Sequence, residues 1–183
     1  EKDMIRPLLK GADIKKWDVS NYEEIIIFPY NIKDGKALLI EEKTLKTKYP
    51  KTYDYLLQCK SKLEAREHSK WKGVPNWYAF GRHSNIDQFD QNKILVQVLA
   101  NRATFALDKG INVLFVGGGT AGGYGISLSK KPKISLDCII ALLNSSFLDW
   151  KHHQGATRFG SGFYAYGQMY IENLPIASFK NKP

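Results

Sequence analysis

The glycines between Phe115 and Ile126 have the clearest chemical potential in this sequence. The stretch Phe115-Val-Gly-Gly-Gly-Thr-Ala-Gly-Gly-Tyr-Gly-Ile126 holds the spacing G-x-G-x-x-G at Gly117, Gly119 and Gly122, after the run Ile111-Asn-Val-Leu-Phe-Val116. Such a spacing cradles a phosphate when a helix begins at its third glycine, because the helix N-terminus supplies the amides that hold the anion. Here Gly122 is followed by Gly-Tyr-Gly and then by the strand-like alternation Tyr124-Gly-Ile-Ser-Leu-Ser129, and Pro132 delays the next helix. A Walker-type loop would need Lys and then Ser or Thr after its last glycine, and neither is present. The glycines suit a tight turn between two strands better, so the stretch is expected to be a hairpin.

Other catalytic patterns are weaker. His68, His83, His152 and His153 are scattered, and the adjacency of the last two predicts that they leave a helix on different sides. No Cys lies close to a His, and no carboxylate pair has metal-ligand spacing. Ser145-Ser146 lack the Gly-x-Ser-x-Gly setting of an activated nucleophile.

Charge is more informative. The 183 residues carry a formal net charge of +9. Between Lys43 and Lys72 there are nine basic residues (Lys43, Lys46, Lys48, Lys51, Lys60, Lys62, Arg66, Lys70, Lys72) and three acidic ones (Asp54, Glu64, Glu67), so this segment holds six of the nine excess charges. A concentrated positive field suits contact with phosphates; it also describes a solvated helix face that keeps a protein in solution. Hydrophobic content of 43% and aromatic content of 13% place the chain among globular proteins, long enough to bury a core. No segment approaches the run of about 18 apolar residues that spans a bilayer, which speaks against a membrane partner. Cys59 and Cys138 fall in predicted helices without metal-type spacing and are expected to be free thiols of a reducing compartment, with the cytoplasm as the default. The chain opens on Glu1, with its first Met at position 4, as a piece of a longer polypeptide would.

Several elements can be placed from pattern alone. Tyr22 to Tyr30 reads as a strand, with Asp34-Gly35 turning into a second strand at Ala37 to Ile40. Pro50 starts a helix running to about His68. Tyr53, Leu56, Leu57 and Leu63 share one face of it, while Lys51, Tyr55, Gln58, Lys62 and Arg66 gather near the opposite face. Trp77 to Gly81, Lys93 to Ala100, Ala103 to Asp108 and Ile111 to Val116 are strand-like, with Lys109-Gly110 as part of a hairpin turn. A long helix is expected from Leu136 to His152, with Leu136, Ile139, Ile140, Leu143, Phe147 and Trp150 on one stripe. Trp17, Trp71, Trp77 and Trp150 are expected to pack. The fold class is therefore α+β: a single mixed domain over residues 1–183, with a twisted, largely antiparallel sheet packed by the Pro50 and Leu136 helices.

A series of short motifs then forms a familiar order. It runs from Arg6-Pro-Leu-Leu-Lys-Gly-Ala-Asp-Ile14 with Trp17 and a strand ending in Pro29, through Tyr55-Leu56 and Leu63-Glu-Ala-Arg66, to Trp77-Tyr-Ala-Phe-Gly-Arg82. Asn92-Lys-Ile94, Ala141-Leu-Leu-Asn-Ser-Ser-Phe147 and Leu174-Pro-Ile176 complete it. In this order the chain resembles, over nearly its whole length, the TaqI-like C-terminal specificity domain. That is the target-recognition domain of DNA adenine methyltransferases and of fused restriction-modification enzymes.

The resemblance implies a domain that binds double-stranded DNA, selects its sequence and follows a catalytic methyltransferase domain in the same polypeptide. It implies no cofactor and no chemistry in this domain. S-adenosylmethionine belongs to the parent enzyme, with Mg if that enzyme also cleaves DNA. The catalytic motif of such enzymes, Asn-Pro-Pro-Tyr-like, is matched only by Phe28-Pro-Tyr-Asn31, which lacks the leading Asn. Phosphate contacts need Lys and Arg but no particular base; the candidates are Lys46, Lys48, Lys51, Lys62, Lys70 and Lys72. Base reading needs paired donors and acceptors on projecting loops. The candidates lie in Gly81-Arg-His-Ser-Asn-Ile86 and in the loop from Gly155 to Gln168: Arg82, His83, Asn85, Arg158, Tyr164 and Gln168. Bland roles stand beside these. Arg82 could pair with Asp87, Tyr164 or Tyr166 could be core aromatics, and Arg66 could form an ion pair with Glu67 or Asp54. A protein-interaction module, an RNA-binding module and a fragment of a nucleotide-using enzyme remain the alternatives.

Overall fold

The computed structural model describes residues 1–19, 22–82, 85–115, 120–128 and 134–176. The chain forms two compact units, one of Glu1–Arg6 with Ile25–Asp90 and the other of Pro7–Glu24 with Gln91–Pro183. The fold is α+β, as the patterns indicate, but among the described residues its strands are shared among four small sheets instead of one. The Pro50 and Leu136 helices accordingly pack on separate cores. The chain passes between the units three times: within β1 (Ile5–Leu9), at the start of β2 (Glu24–Ile27) and between Asp90 and Gln91.

In the first unit Pro29 ends the run that sequence extends to Tyr30, since proline has no N–H for a ladder. The hairpin is instead made by β3 (Tyr30–Lys33) and β4 (Lys36–Leu39), registered from Tyr30 opposite Leu39 to Lys33 opposite Lys36. Asp34 and Gly35 both have positive φ, 51° and 68°, which is what a two-residue turn matching strand twist requires. Helix α1 (Glu42–Lys48), which no sequence pattern announces, precedes α2 (Pro50–Gln58), α3 (Lys60–Glu64) and α4 (Arg66–Ser69). The single helix expected from Pro50 to His68 is thus divided, and Glu67 and His68 take left-handed φ of 51° and 59°. Glu1 supplies the missing cap of α2: its carboxylate accepts from the amides of Lys51 and Thr52 and from the Thr52 hydroxyl. Those bonds, led by the Thr52 hydroxyl, hold the Glu1 carboxyl below its ordinary range.

The core of this unit gathers Met4, Ile40, Leu45, Tyr49, Tyr53, Leu56, Trp77 and Tyr78. Leu57, expected on the apolar face, is 41% exposed. Trp77 to Gly81 is a chain of turns and bends, not a strand. Its aromatics bury their rings from irregular backbone, which alternation alone cannot distinguish from a strand. Tyr78 donates its hydroxyl to the Ile40 carbonyl at 2.7 Å, and burial pushes that hydroxyl up to about 12.

The second unit contains β5 (Lys93–Gln97), β6 (Leu99–Ala100), β7 (Ala106–Asp108), β8 (Leu114–Phe115) and β9 (Gly123–Ile126). Helices α5 (Leu136–Leu143) and α6 (Ser146–Gly155), strand β10 (Tyr164–Ala165) and α7 (Gln168–Ile171) follow. Strand β5 is central, antiparallel to β7 on one side and to β9 on the other. Strand β8 pairs in parallel with β1, Leu8 opposite Leu114 and Leu9 opposite Phe115. Two expectations fall with this topology. Lys109-Gly110 turns the chain out of one sheet toward another, not into a hairpin. The glycine stretch likewise joins strands of different sheets, because the strand before it finds its partner near the chain start, where no local spacing points. Residues 116–119 of that stretch lie outside the described residues, whereas Gly123–Ile126 is a strand where a phosphate loop would need a helix.

Close backbone approach explains one motif residue. The Gly11 amide donates to the Ala121 carbonyl at 2.8 Å, and a Cβ at Gly11 would run into the Gly122 carbonyl oxygen. The long helix expected from Leu136 to His152 breaks at Asn144-Ser145. The buried Asn144 amide brackets Phe105, its Oδ1 accepting from the Phe105 amide at 3.0 Å and its Nδ2 donating to the Phe105 carbonyl at 2.8 Å. Ser135 and Ser145 cap α5 and α6 through the amides of Cys138 and Leu148. The break resets the helical phase, so Phe147 and Trp150, expected on the buried stripe, are 62% and 57% exposed. Trp17 is exposed as well, whereas Trp71 and Trp77 are buried as expected. Both cysteines are free, with Cys59 half-buried between α2 and α3 and Cys138 exposed on α5.

Candidate nucleic-acid interface

All six phosphate-contact candidates lie in the first unit, on α1 to α4 and the turns after them. Lys51, Tyr55, Gln58 and Lys62 form an exposed stripe along α2 and α3, as the helical spacing predicts. The ammonium groups of several lysines lie over aromatic rings. The Lys46 ammonium sits 5.1 Å from the Tyr53 ring centre, Lys48 5.0 Å from Tyr49, Lys60 5.1 Å from Trp77 and Lys70 6.0 Å from Trp71. Rings from the core thus hold cations at the surface.

The candidates differ in how committed their charge already is. Lys46 pairs with Glu42 at 3.3 Å, and Lys70 pairs with Glu67 at 3.7 Å. The Tyr53 hydroxyl and then Glu42 hold the Lys46 ammonium above its ordinary value, and the Tyr49 hydroxyl does the same for Lys48. Lys51, Lys62 and Lys72 are exposed and form no ion pair among the described residues. They are the charges best placed to meet a polyanion.

Arg66 is turned away from this surface. Its Nε donates to the Leu63 carbonyl at 2.8 Å and its Nη2 to the carbonyls of Trp77 and Ala79 at 2.9 and 3.0 Å. The guanidinium also lies 5.3 Å from the Trp71 ring centre. The sequence allows an ion pair with Glu67 or Asp54; backbone carbonyls of the irregular Trp77–Ala79 segment take that place. This clamp serves three carbonyls around the core with one guanidinium.

The base-reading candidates fall into two sets. Arg82 and Asn85 are exposed in the first unit, and Asn85, with φ of 62°, precedes a short 3-10 helix at Ile86–Gln88. His83 lies outside the described residues. Arg158, Tyr164 and Gln168 belong to the second unit, where the chain after α6 doubles back on itself. Arg158 bridges Tyr164 in antiparallel register, the Phe159 amide donates to the Phe163 carbonyl at 2.7 Å, and the Ala165 amide donates to the Thr157 carbonyl at 3.0 Å. Arg158 is exposed at this small hairpin. Gln168 donates to Glu172 at 3.0 Å along α7, so its amide is partly engaged.

Two histidines hold the hairpin against α6. The His152 ring stacks on Tyr166 with centres 4.1 Å apart, and the His153 ring stacks on Tyr164 at 3.8 Å with 11° between the planes. Adjacent on the helix, the two rings each meet a different tyrosine of the hairpin. Residues two apart on an extended chain share a face, and two neighbouring helix positions can each meet one of them. Tyr166 is a core residue, its hydroxyl donating to Asp149 at 3.1 Å and raised well above its ordinary value by burial. Tyr164 is half-buried, with one face covered by His153.

Sequence reasoning missed two exposed features. Phe159 and Phe163 are 45% and 38% exposed on the hairpin; the symmetry Phe-Gly-Ser-Gly-Phe was the available signal. An apolar groove of about 720 Å³ in the first unit is lined by Ile25, Ile27, Tyr55, Leu63 and Phe80. Its signal was the run Ile25-Ile-Ile27. Among the described residues no three His, Cys, Asp or Glu side chains gather to hold a metal, and no helix is long and apolar enough to cross a membrane.

The chain is 27% identical over 186 residues to the type II restriction enzyme and methyltransferase RM.Eco57I of Escherichia coli, covering 96% of this chain and 18% of that protein. It is also 27% identical over 183 residues to the type II methyltransferase M.MjaIV of Methanocaldococcus jannaschii, covering 100% of this chain and 57% of that one. The chain therefore spans only part of the length of both relatives. The TaqI-like C-terminal specificity domain matches residues 6–176, almost the whole chain and every motif that carries the resemblance. This chain belongs to the family of TaqI-like C-terminal specificity domains of restriction-modification enzymes.

Proposed function

We propose that this chain reads the sequence of double-stranded DNA on behalf of an adenine-specific DNA methyltransferase, with or without a fused endonuclease, to which it is joined in one polypeptide. The observation that carries this reading is the exposed stripe of α2 and α3, where Lys51 and Lys62, with Lys72 beyond them, present charges that form no ion pair among the described residues. Family membership and the names of both relatives support the same reading. On it, residues 1–183 act together as the target-recognition domain.

The division of labour follows from the chemistry. Lysines fix position on the phosphate backbone without sequence information. Arg82, His83, Asn85, Arg158, Tyr164 and Gln168 read base edges, with His153 bracing Tyr164 through its stacked ring. The domain itself carries out no chemistry. S-adenosylmethionine belongs to the methyltransferase portion, and a metal such as Mg to an endonuclease portion. The domain holds the duplex while the adenine is drawn from the stack into a pocket elsewhere, inside the cell that carries the system.

The test is replacement of Lys51, Lys62 and Lys72 by Ala in the intact protein, followed by duplex binding over a salt series. Weaker binding with a shallower salt dependence, at unchanged sequence preference, is the expected result. Unchanged duplex binding, or equal preference for single-stranded RNA, would count against the reading.

A further inference from the structure

The hairpin between Thr157 and Ala165 has two faces of opposite character. Side chains alternate along an extended chain, and cross-strand partners share a face. The Arg158–Tyr164 pair occupies one face, where Tyr164 is stacked on His153 of α6. Phe159 and Phe163 are the next cross-strand pair, joined by the 2.7 Å bond from the Phe159 amide to the Phe163 carbonyl. They therefore occupy the other face, away from α6, and both rings are exposed. Only Gly160-Ser-Gly162 lies between them. The hairpin base is braced by the Thr157 and Tyr170 hydroxyls, 2.5 Å apart, and by the pairing of β10 with β6. Two aromatic side chains thus stand at the tip of a short, braced hairpin, with the exposed Arg158 on its other face.

We propose that Phe159 and Phe163 form an apolar wedge that enters the base stack of the duplex and occupies the space left when a base is drawn out. This rests on the DNA-reading function proposed above and adds to it a role in distorting the duplex. Proteins that open a base step insert apolar side chains between the bases, and the cost of unstacking is offset because the bent duplex wraps more of the protein surface. The tip has the properties such a step needs. Its turn is only three residues long and both rings are exposed.

The test compares two duplexes bound by the intact protein, each carrying the site recovered by selection from a random-sequence pool. One is fully paired and the other has an abasic position at the target adenine. A wedge fills a gap more readily than it forces one, so the abasic duplex binds at least about tenfold tighter, a difference of about 1.4 kcal/mol. In the Phe159→Ala/Phe163→Ala variant that preference disappears, with melting temperature and salt dependence unchanged. In the Phe159→Leu/Phe163→Leu variant it is largely retained, because Leu is also an effective wedge. Sequence-selective binding with no abasic preference, or a preference the alanine variant keeps, overturns the wedge alone. Failure to recover any site, with salt-independent binding, overturns the DNA-reading function and the wedge with it.

Discussion

Lys93 and Asp108 meet at 2.6 Å with both side chains buried, the carboxylate fully so. Asp108 also accepts from the amides of Ile111, Asn112 and Val113, at 3.0, 3.2 and 3.0 Å. One carboxylate therefore shapes the turn that carries the chain from β7 toward β8, and one lysine balances its charge. Removing Asp108 takes away the carboxylate that balances the buried lysine and the acceptor of three turn amides. Asp108→Ala is expected to destabilise the protein by about 3–5 kcal/mol, measured by chemical denaturation. A loss below about 1 kcal/mol would show that water reaches the pair.

Arg66 gives a contrasting prediction, since it is basic, lies in the charged segment and yet faces inward. Arg66→Ala removes the donor to the carbonyls of Leu63, Trp77 and Ala79. The expected loss is about 2–4 kcal/mol of stability. Arg66→Lys should restore little, because an ammonium cannot reproduce the planar fork. At temperatures where the variant is folded, its DNA affinity should show the salt slope of the unaltered protein. A shallower slope would place Arg66 on the phosphate backbone instead.

The lysines should separate by their present partners. Each phosphate contact contributes about 0.9 to the slope of log affinity against log salt. Single substitutions of Lys51, Lys62 or Lys72 by Ala are expected to reduce the slope by about 0.9 each. Lys46→Ala and Lys70→Ala should reduce it less, because Glu42 and Glu67 already neutralise those charges. Binding titrations at four or five salt concentrations decide the point, and equal effects at all five sites would argue against the distinction.

His152 makes stability depend on pH in a stated direction. Its ring is buried against Tyr166, its Nε2–H donates to the Ala165 carbonyl at 3.1 Å, and burial holds its pKa below the ordinary value. The unfolded chain takes up the proton near pH 6.5, before the folded one does. The contribution is therefore complete above about pH 6.5 and is lost as the pH falls toward the depressed value, at no more than about 1.4 kcal/mol per pH unit. His153 and Asp149 flank the ring. Denaturation curves from pH 7.5 to 5 should show this fall, and His152→Phe should flatten it.

What the sequence made legible was local chemistry. Asp34-Gly35 announced its turn, and the period of Lys51, Tyr55, Gln58 and Lys62 announced an exposed stripe. The partner of β8 was not legible, because it is contributed by Leu8 and Leu9, far back in the chain. The same holds for the stacks of His152 and His153, which depend on a hairpin folding back onto α6. The break at Asn144 also escaped, since an asparagine amide that brackets Phe105 looks like any polar residue in a helical pattern. Phe159 and Phe163 were passed over because exposed aromatics leave no periodic trace.

The most direct test of the central claim is selection of bound duplexes from a random-sequence pool by the intact protein, repeated across a salt series. A single recurring sequence containing an adenine, bound with an affinity that falls steeply as salt rises, is the predicted result. A bound fraction with no recurring sequence and no dependence on salt would contradict the claim that this domain reads DNA.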